Sequence, residues 1–429
     1  MILLTYVFPP LSSGGTAVVM NLARYMPLAG WEVLPLTVSG QKGFSVDDTL
    51  ESALPDGLRV TRIPHCEPFY RSKPGRSSPL GPERSGQGIL RRMMSRFIHS
   101  YVLVPDRVIT WRRSVVRAGV RLVREENASV IVSFGPHHSL HLHAAKIAAA
   151  TGILYVPFFG DLWLADSNVE WPSRLNRMIE AGMERRVVVR AAGIAATTVG
   201  STKYFSRTYG NRCPPLHVVE NGYDPDRIHP ATEDKTRSEN LIISFTGNFF
   251  GLHSPEPLLR GLKLFFDKHP EAPLLMRFIG CFEGDYANLP RRMGLAEKVE
   301  MPGSVDYSAV PGYQLDSDVL LAYLSPLPGA EMKNSSKLAE YLRTGRSILA
   351  IAPEGDMTEY VRRFDAGYVC HPSPEQISDT LERVLSDWEN GVLVRVRDQN
   401  GVADVFDARN IAERFGHFLD QISEKRPGS

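Results

Sequence analysis

Short apolar runs alternate with helix-period segments along almost the whole chain, separated by turns rich in Gly, Pro, Asn and Asp. Ile2–Val7, Val130–Phe134, Leu154–Phe158, Leu241–Thr246 and Ser347–Ala352 are mostly apolar rather than alternating. That pattern belongs to strands covered on both faces, as in a parallel sheet between layers of helices. Further strands are predicted over Trp31–Val38, Leu58–Ile63, Gly193–Val199, Leu274–Gly280, Val299–Pro302, Asp318–Tyr323 and Ala366–Cys370. Helices are predicted over Thr16–Leu28, Ile89–Val104, His141–Ala150, Arg174–Arg190, onward from Pro255, over Pro374–Asn390 and over Ala408–Ile422. This alternation predicts an α/β fold with doubly wound parallel sheets.

The series is interrupted once. Pro225 to Asn240 is rich in Pro, Asp, Glu and Lys and has no apolar period, so it is read as a linker. A chain of 429 residues is long for one core. The expected division is a domain over 1–224, a linker over 225–240 and a second domain over 241–407. The closing helix, 408–422, is expected to pack back toward the first domain. In doubly wound sheets ligands bind beyond the carboxyl ends of the strands. Three polar clusters fall at such places in the first domain: the Gly14–Gly15 turn, the His137–His138 loop and the loop holding Asp161 and Trp163.

The net charge of +1 gives no overall pull toward nucleic acid, and none is expected as a partner. The four cysteines are scattered without metal-ligand spacing and read as free thiols of a reducing compartment. The N-terminus has the pattern of a first strand rather than a leader, and no apolar run is long enough to span a bilayer. A cytoplasmic protein is expected, with any membrane attachment peripheral. Charge is uneven, however: between Pro68 and Arg117 many Arg and Lys residues face only Glu83 and Asp106. The stretch Arg71–Arg117 predicts an electropositive, partly apolar surface for anionic lipid or a phosphate-bearing acceptor.

Asn334–Val361 reads as loop, helix, strand, loop and helix. Asn334, Ser335 and Ser336 offer capping oxygens, Lys337 opens the helix, and Gly345 suits its C-terminal stop. A lysine in a first turn opposes the helix dipole, which favours negative charge there. An anionic ligand at that helix start would account for it.

These motifs, in this order, resemble the GT-B fold of retaining glycosyltransferases, in the large family four, over nearly the whole length. Phe8-Pro9-Pro10 with Gly14-Gly15 is similar to that family's N-terminal glycine loop, and Pro105-Asp106 with Trp111 to a feature of its bacterial polysaccharide branch. Gly135–His141 and Phe159–Trp163 resemble its acceptor-side loops, and Asn221–Asp224 the segment before its second domain. Gly247-Asn248, Lys337–Leu342 and Ala366-Gly367 resemble its donor half.

The resemblance implies two Rossmann-like domains facing a central cleft, with a nucleoside-diphosphate sugar as co-substrate and no metal required. UDP is favoured because it is common in the family. Glu340 would accept hydrogen bonds from the ribose, while Lys337 and the backbone near Ser335 and Ser336 would hold the diphosphate. The loops of Gly280 and Gly303 would flank the base. Gly14 and Gly15 would close on the donor, with Gly247 and Asn248 forming the second domain's glycine turn. Asp161, His137, His138 and Trp163 would serve the acceptor: a sugar, a lipid-linked sugar or a small-molecule alcohol. Many members carry a glutamate where this chain has Met332; either Glu331 substitutes for it or a backbone group does. A basic pair usual after the second domain's first strand is replaced here by Asn248–His253. Two other functions fit the same fold: a nucleotide-sugar epimerase and a non-catalytic binding protein.

Overall fold

The computed structural model describes residues 1–39, 45–65, 101, 103–166, 171–231 and 238–425. Two wholly parallel sheets dominate it. The first has seven strands, in spatial order Thr61–Pro64, Leu34–Ser39, Ile2–Thr5, Val130–Gly135, Leu154–Phe159, Ile194–Ala196 and Leu216–Val218. The second has six: Val299–Gly303, Leu274–Ile279, Leu241–Thr246, Val319–Tyr323, Ser347–Ile351 and Gly367–Cys370. A small antiparallel pair, Leu11–Ser12 with Ser45–Val46, flanks the glycine turn.

Each sheet is buried on both faces, as its unbroken apolar strands require. Ile2, Leu4, Leu36 and Ile131 face one core of the first sheet, and Leu3, Val130, Val132 and Phe158 the other. In the second sheet Leu241, Ile243, Val319 and Leu349 face one core, and Leu320, Ala322, Ile348 and Ala350 the other. Helix Ala408–Glu424 lays Ile411, Phe415, Phe418 and Leu419 into the core that holds Leu3 and Phe158. The chain therefore crosses between the sheets twice, and the crossings are paired. Tyr223 N–H donates to Phe406 O at 3.0 Å, and Ala408 N–H to Tyr223 O at 3.1 Å.

Several elements differ from the sequence reading. The first helix stops at Tyr25 and tightens into a 3-10 turn, Met26–Ala29, because Pro27 brings no N–H and Gly30 reverses the chain at φ 82°. The run Gly193–Val199 is cut at Ala196: Thr198 caps a helix, Val199–Tyr209, by accepting from Ser201 N–H. Helix Arg112–Glu126 was masked by its arginines, although Val115, Ala118, Leu122 and Val123 form a buried stripe. A further helix spans Gln399–Phe406, capped by Asp398 accepting from Gly401 N–H. Most of the predicted helix Ile89–Val104 lies outside the described residues. Its last two positions, Leu103 and Val104, are buried but not helical, in keeping with the bias that Pro105 imposes on its predecessor.

Candidate active site

Both sheets reverse strand order at one point, between Ile2–Thr5 and Val130–Gly135 in the first and between Leu241–Thr246 and Val319–Tyr323 in the second. The loops that leave the carboxyl ends of these strands and their neighbours carry most of the polar residues singled out above, and the two sets face each other.

In the second domain the glycine turns are stitched side by side. Gly247 N–H donates to Ile279 O at 2.9 Å, Gly280 N–H to Gly303 O at 2.9 Å, and Cys281 N–H to the Asn248 side-chain oxygen at 2.7 Å. Gly280 has φ +140°, and a Cβ there would lie 1.9 Å from Gly247 O. Only glycine meets both demands. Asn248 is thus spent on holding the turn. Ser335 Oγ accepts Lys337 N–H at 3.3 Å, and this bend delays the helix to Leu338–Thr344. Lys337 stands at its N-cap rather than in its first turn. Among the described residues its ammonium has no ion-pair partner.

Glu340 is only 4 % exposed. The Arg227 guanidinium donates to its Oε1 and Gln314 Nε2 to its Oε2, the latter at 2.9 Å. Burial works to raise its pKa, but Lys337, Arg227 and the hydrogen bonds outweigh burial and hold it below the ordinary carboxylate value. An ionised carboxylate results, a hydrogen-bond acceptor only.

In the first domain Gly15 lies against Phe134, 2.7 Å from where a Cβ would sit, so the turn packs directly on the strand end; Gly14 is open. His137 meets Tyr6 edge-on at 4.9 Å and is half-buried. His138 is 8 % exposed and stacks flat on Trp163 at 4.9 Å. Burial brings its pKa down to about 4, so it is neutral. Trp163 is itself in the core and donates its indole N–H to Glu180 at 2.7 Å. Burial raises Glu180 to about 7. Trp163 therefore braces the loop that holds Asp161 from beneath.

The two halves meet at Lys333, which belongs to none of the motifs above. Its ammonium lies 3.0 Å from Asp161 and 2.6 Å from Asp166. Burial alone would lower its pKa, but the two aspartates hold it above the ordinary value. Nearby, His253 contacts Ser325 Oγ at 3.1 Å and is brought down to about 4 by burial and by Lys333. Lys333 thus supplies a cation beside the loop that lacks the basic pair. Met332, where a glutamate was expected, is a docking point: its carbonyl accepts from Thr198 Oγ1 at 2.7 Å and Ser201 Oγ at 3.3 Å across the interface. Glu331 is exposed, and its carboxylate has no partner among the described residues. Met332, Lys333 and Asn334 line the second-domain side of a small cavity of about 30 Å³ shared with Asp161 and Thr197.

Lys333 and Arg227 were legible only weakly. Lys333 is one of several polar residues in a loop, and Arg227 lies in the segment read as linker. Residues 232–237 of that segment, and residues 66–100 of the basic stretch, lie outside the described set. What is described of the basic stretch continues along helix Arg112–Glu126. Arg113, Arg117, Arg121 and Arg124 share one exposed face, which with Arg112 and Lys146 borders a groove of about 690 Å³ away from the cleft. Among the described residues no group of three or more His, Cys, Asp or Glu could hold a metal ion, and no helix is long and apolar enough to cross a membrane. Cys213, Cys281 and Cys370 are free thiols; Cys66 lies outside the described residues.

No protein-family profile matches the sequence, and no curated protein matches it. Solved structures do. A UDP complex of HepE from Anabaena superposes with a TM-score of 0.66 at 14% identity, covering 98% of this chain and 99% of that one. Sucrose-phosphate synthase from Thermosynechococcus elongatus gives 0.69 at 13% identity over 99% and 100% of the two chains. The apo form of WaaB, a lipopolysaccharide outer core galactosyltransferase, gives 0.58 at 12% identity over 98% and 99%. The chain has the GT-B fold, two Rossmann-like domains around a cleft.

Proposed function

We propose that this chain is a glycosyltransferase that moves a sugar from a nucleoside-diphosphate sugar to an acceptor hydroxyl. The observation that carries this is a full-length GT-B likeness combined with a cleft whose donor side holds Lys337, Ser335, Ser336 and the ionised Glu340. HepE has been solved with UDP and with UDP-glucose, which favours UDP as the nucleotide here. Glu340 accepts from the ribose, the glycine turns of Gly247, Gly280 and Gly303 border the base, and Lys337 faces the diphosphate. Gly14 and Gly15 approach the donor from the other domain.

In the reaction the anomeric C–O bond breaks, and its electron pair goes to the departing diphosphate. Lys337, Lys333 and backbone N–H groups stabilise that charge without a required metal. The acceptor oxygen bonds to the anomeric carbon on the face the diphosphate leaves, with retention, and its proton passes to the departing phosphate oxygen. Asp161, held by Lys333, and His137 and His138 border the acceptor. A sugar, a lipid-linked sugar or a small alcohol would fit this role. The basic face of helix Arg112–Glu126 suits an acceptor carried on an anionic membrane, which would place the protein on the cytoplasmic surface.

Incubating pure protein with several nucleotide sugars, with and without acceptors, tests the reading. Acceptor-dependent release of nucleoside diphosphate is expected. Isomerised sugar without release would indicate an epimerase instead, and binding without turnover a non-catalytic protein. Glu340→Gln should weaken UDP binding at least tenfold while the melting curve stays cooperative. For the membrane surface, replacing Arg113, Arg117, Arg121 and Arg124 with Gln should abolish co-sedimentation with anionic vesicles; unchanged sedimentation would remove the membrane from the proposal.

A further inference from the structure

Arg227 is a half-buried cation beside Glu340 that the chemistry above leaves without a task. It leaves the crossover segment three residues after Asp224. Its guanidinium lies 3.8 Å over the Tyr307 ring, donates to Tyr307 O at 3.4 Å, and donates to Glu340 Oε1. Gln314 takes the other carboxylate oxygen at 2.9 Å. One donor on each oxygen fixes the plane of the carboxylate. A carboxylate offers about four acceptor sites in all, so roughly one remains on each oxygen. Two parallel acceptor sites match a vicinal diol.

The same segment is seated on the first domain. Asp224 accepts from Arg24 at 3.1 Å and from Tyr25 OH at 2.7 Å, and Asp226 accepts from Arg24 at 2.8 Å. Arg24 and Tyr25 end the helix that begins at the Gly14–Gly15 turn. Asp47 of the first domain adds a second hold, accepting Tyr307 N–H at 3.3 Å. Charged hydrogen bonds at either end, joined by the turn in which Arg227 N–H donates to Asp224 O at 3.1 Å, thus link the helix behind the glycine turn to the carboxylate in the other domain.

We propose that Arg227 is a positioning residue: it orients Glu340 toward the ribose diol and ties that orientation to the seating of the crossover segment on the first domain. This rests on Glu340 being the ribose acceptor. Nucleotide recognition by the second domain then depends on the arrangement of the two domains, through a residue that belongs to the crossing itself.

The test is titration calorimetry with UDP and GDP on Glu340→Gln, Arg227→Gln, Arg227→Lys and Arg24→Ala, each checked for a cooperative melt. Arg227→Gln should weaken UDP about tenfold, the size of one charge-assisted hydrogen bond. Arg227→Lys should recover part of that. Arg24→Ala, far from the nucleotide, should weaken UDP about threefold, and this loss should vanish in the Arg227→Gln background. A pH series adds a readout that a purely structural role would not move. Glu340 is faced by Lys337 from its own helix, by Arg227 from the crossover, and by Gln314, Tyr307 and Tyr341. Without the guanidinium, the fall of UDP affinity on acidification should begin at higher pH than in the wild type. Unchanged affinity and an unchanged acid limb in Arg227→Gln would overturn the proposal. Tighter UDP binding would overturn it too, since Arg227 would then be a competitor of the ribose. If Glu340→Gln binds as the wild type does, the ribose reading fails first; if it alone weakens binding, only the role of Arg227 fails. Should Arg227→Gln not fold, Arg24→Ala decides, because it leaves the Arg227–Glu340 pair intact.

Discussion

Glu340 and Glu180 are both buried carboxylates, yet their surroundings push them in opposite directions. Glu340 has two cations near it and stays ionised; Glu180 has an indole N–H and is raised to about 7 by burial. The sign of the pH effect follows. An acid whose folded pKa lies above its unfolded value binds more protons in the native state, so its contribution to stability is present at low pH and lost as pH rises. For Glu180 that window runs from about 4.5 to about 7. Allowing for solvent screening, about 1–2 kcal/mol is at stake. Glu180→Gln keeps an acceptor for Trp163 and should flatten the melting temperature between pH 5 and 8, leaving the variant the more stable at pH 8. Melting curves across that range check it, and an unaltered slope would show that Glu180 does not titrate there. The role of Lys333 is likewise a residue-scale matter, and no spacing rule in the sequence announces it. It becomes visible only when Asp161 and Asp166 are brought to either side of it.

At the scale of elements, the strands were the most legible part. Leu241–Thr246 matches its predicted span to the residue, because a doubly covered strand is dominated by apolar residues on both faces. Helices with mixed faces were harder: Arg112–Glu126 hides its apolar stripe among arginines, and Val199–Tyr209 opens on residues with strand propensity. The glycine turns read as turns, but their reason lay in the neighbouring strand. Gly280 is required because Gly247 O stands where its Cβ would be. Gly280→Ala should therefore destabilise the second domain by about 2–3 kcal/mol and weaken nucleotide binding together with it. Denaturant unfolding measures the first and calorimetry the second. A variant as stable as the wild type would mean the turn relaxes freely.

At the scale of the molecule, several polar contacts join the domains beside the packing of Met332 on the first core. Asp356 accepts Gly200 N–H with both oxygens at 3.1 and 2.9 Å, Met332 O receives two hydroxyls, and Lys333 joins the aspartates. Interfaces of this kind permit relative motion, and closure excludes water from a transfer site. Asp356→Ala combined with Lys333→Met should raise the radius of gyration in X-ray scattering while circular dichroism stays native, since neither change touches a core. An unchanged radius would place the hold elsewhere, in the paired crossings at Tyr223 and Ala408.

Fold class and most strand spans followed from the chain read locally, because burial on both faces dictates composition residue by residue. The glycine turns and the helix start near Ser335 were legible for a similar reason, since turns and helix starts draw on few residue types; Glu340 was marked only by the family resemblance. Pairing across long separations left no local trace. Arg227 meets Glu340 over 113 positions, and Lys333 meets Asp166 over 167. A charge carries no sign of its partner until folding removes the water between them, and so the wiring of the cleft was decided by the tertiary structure alone.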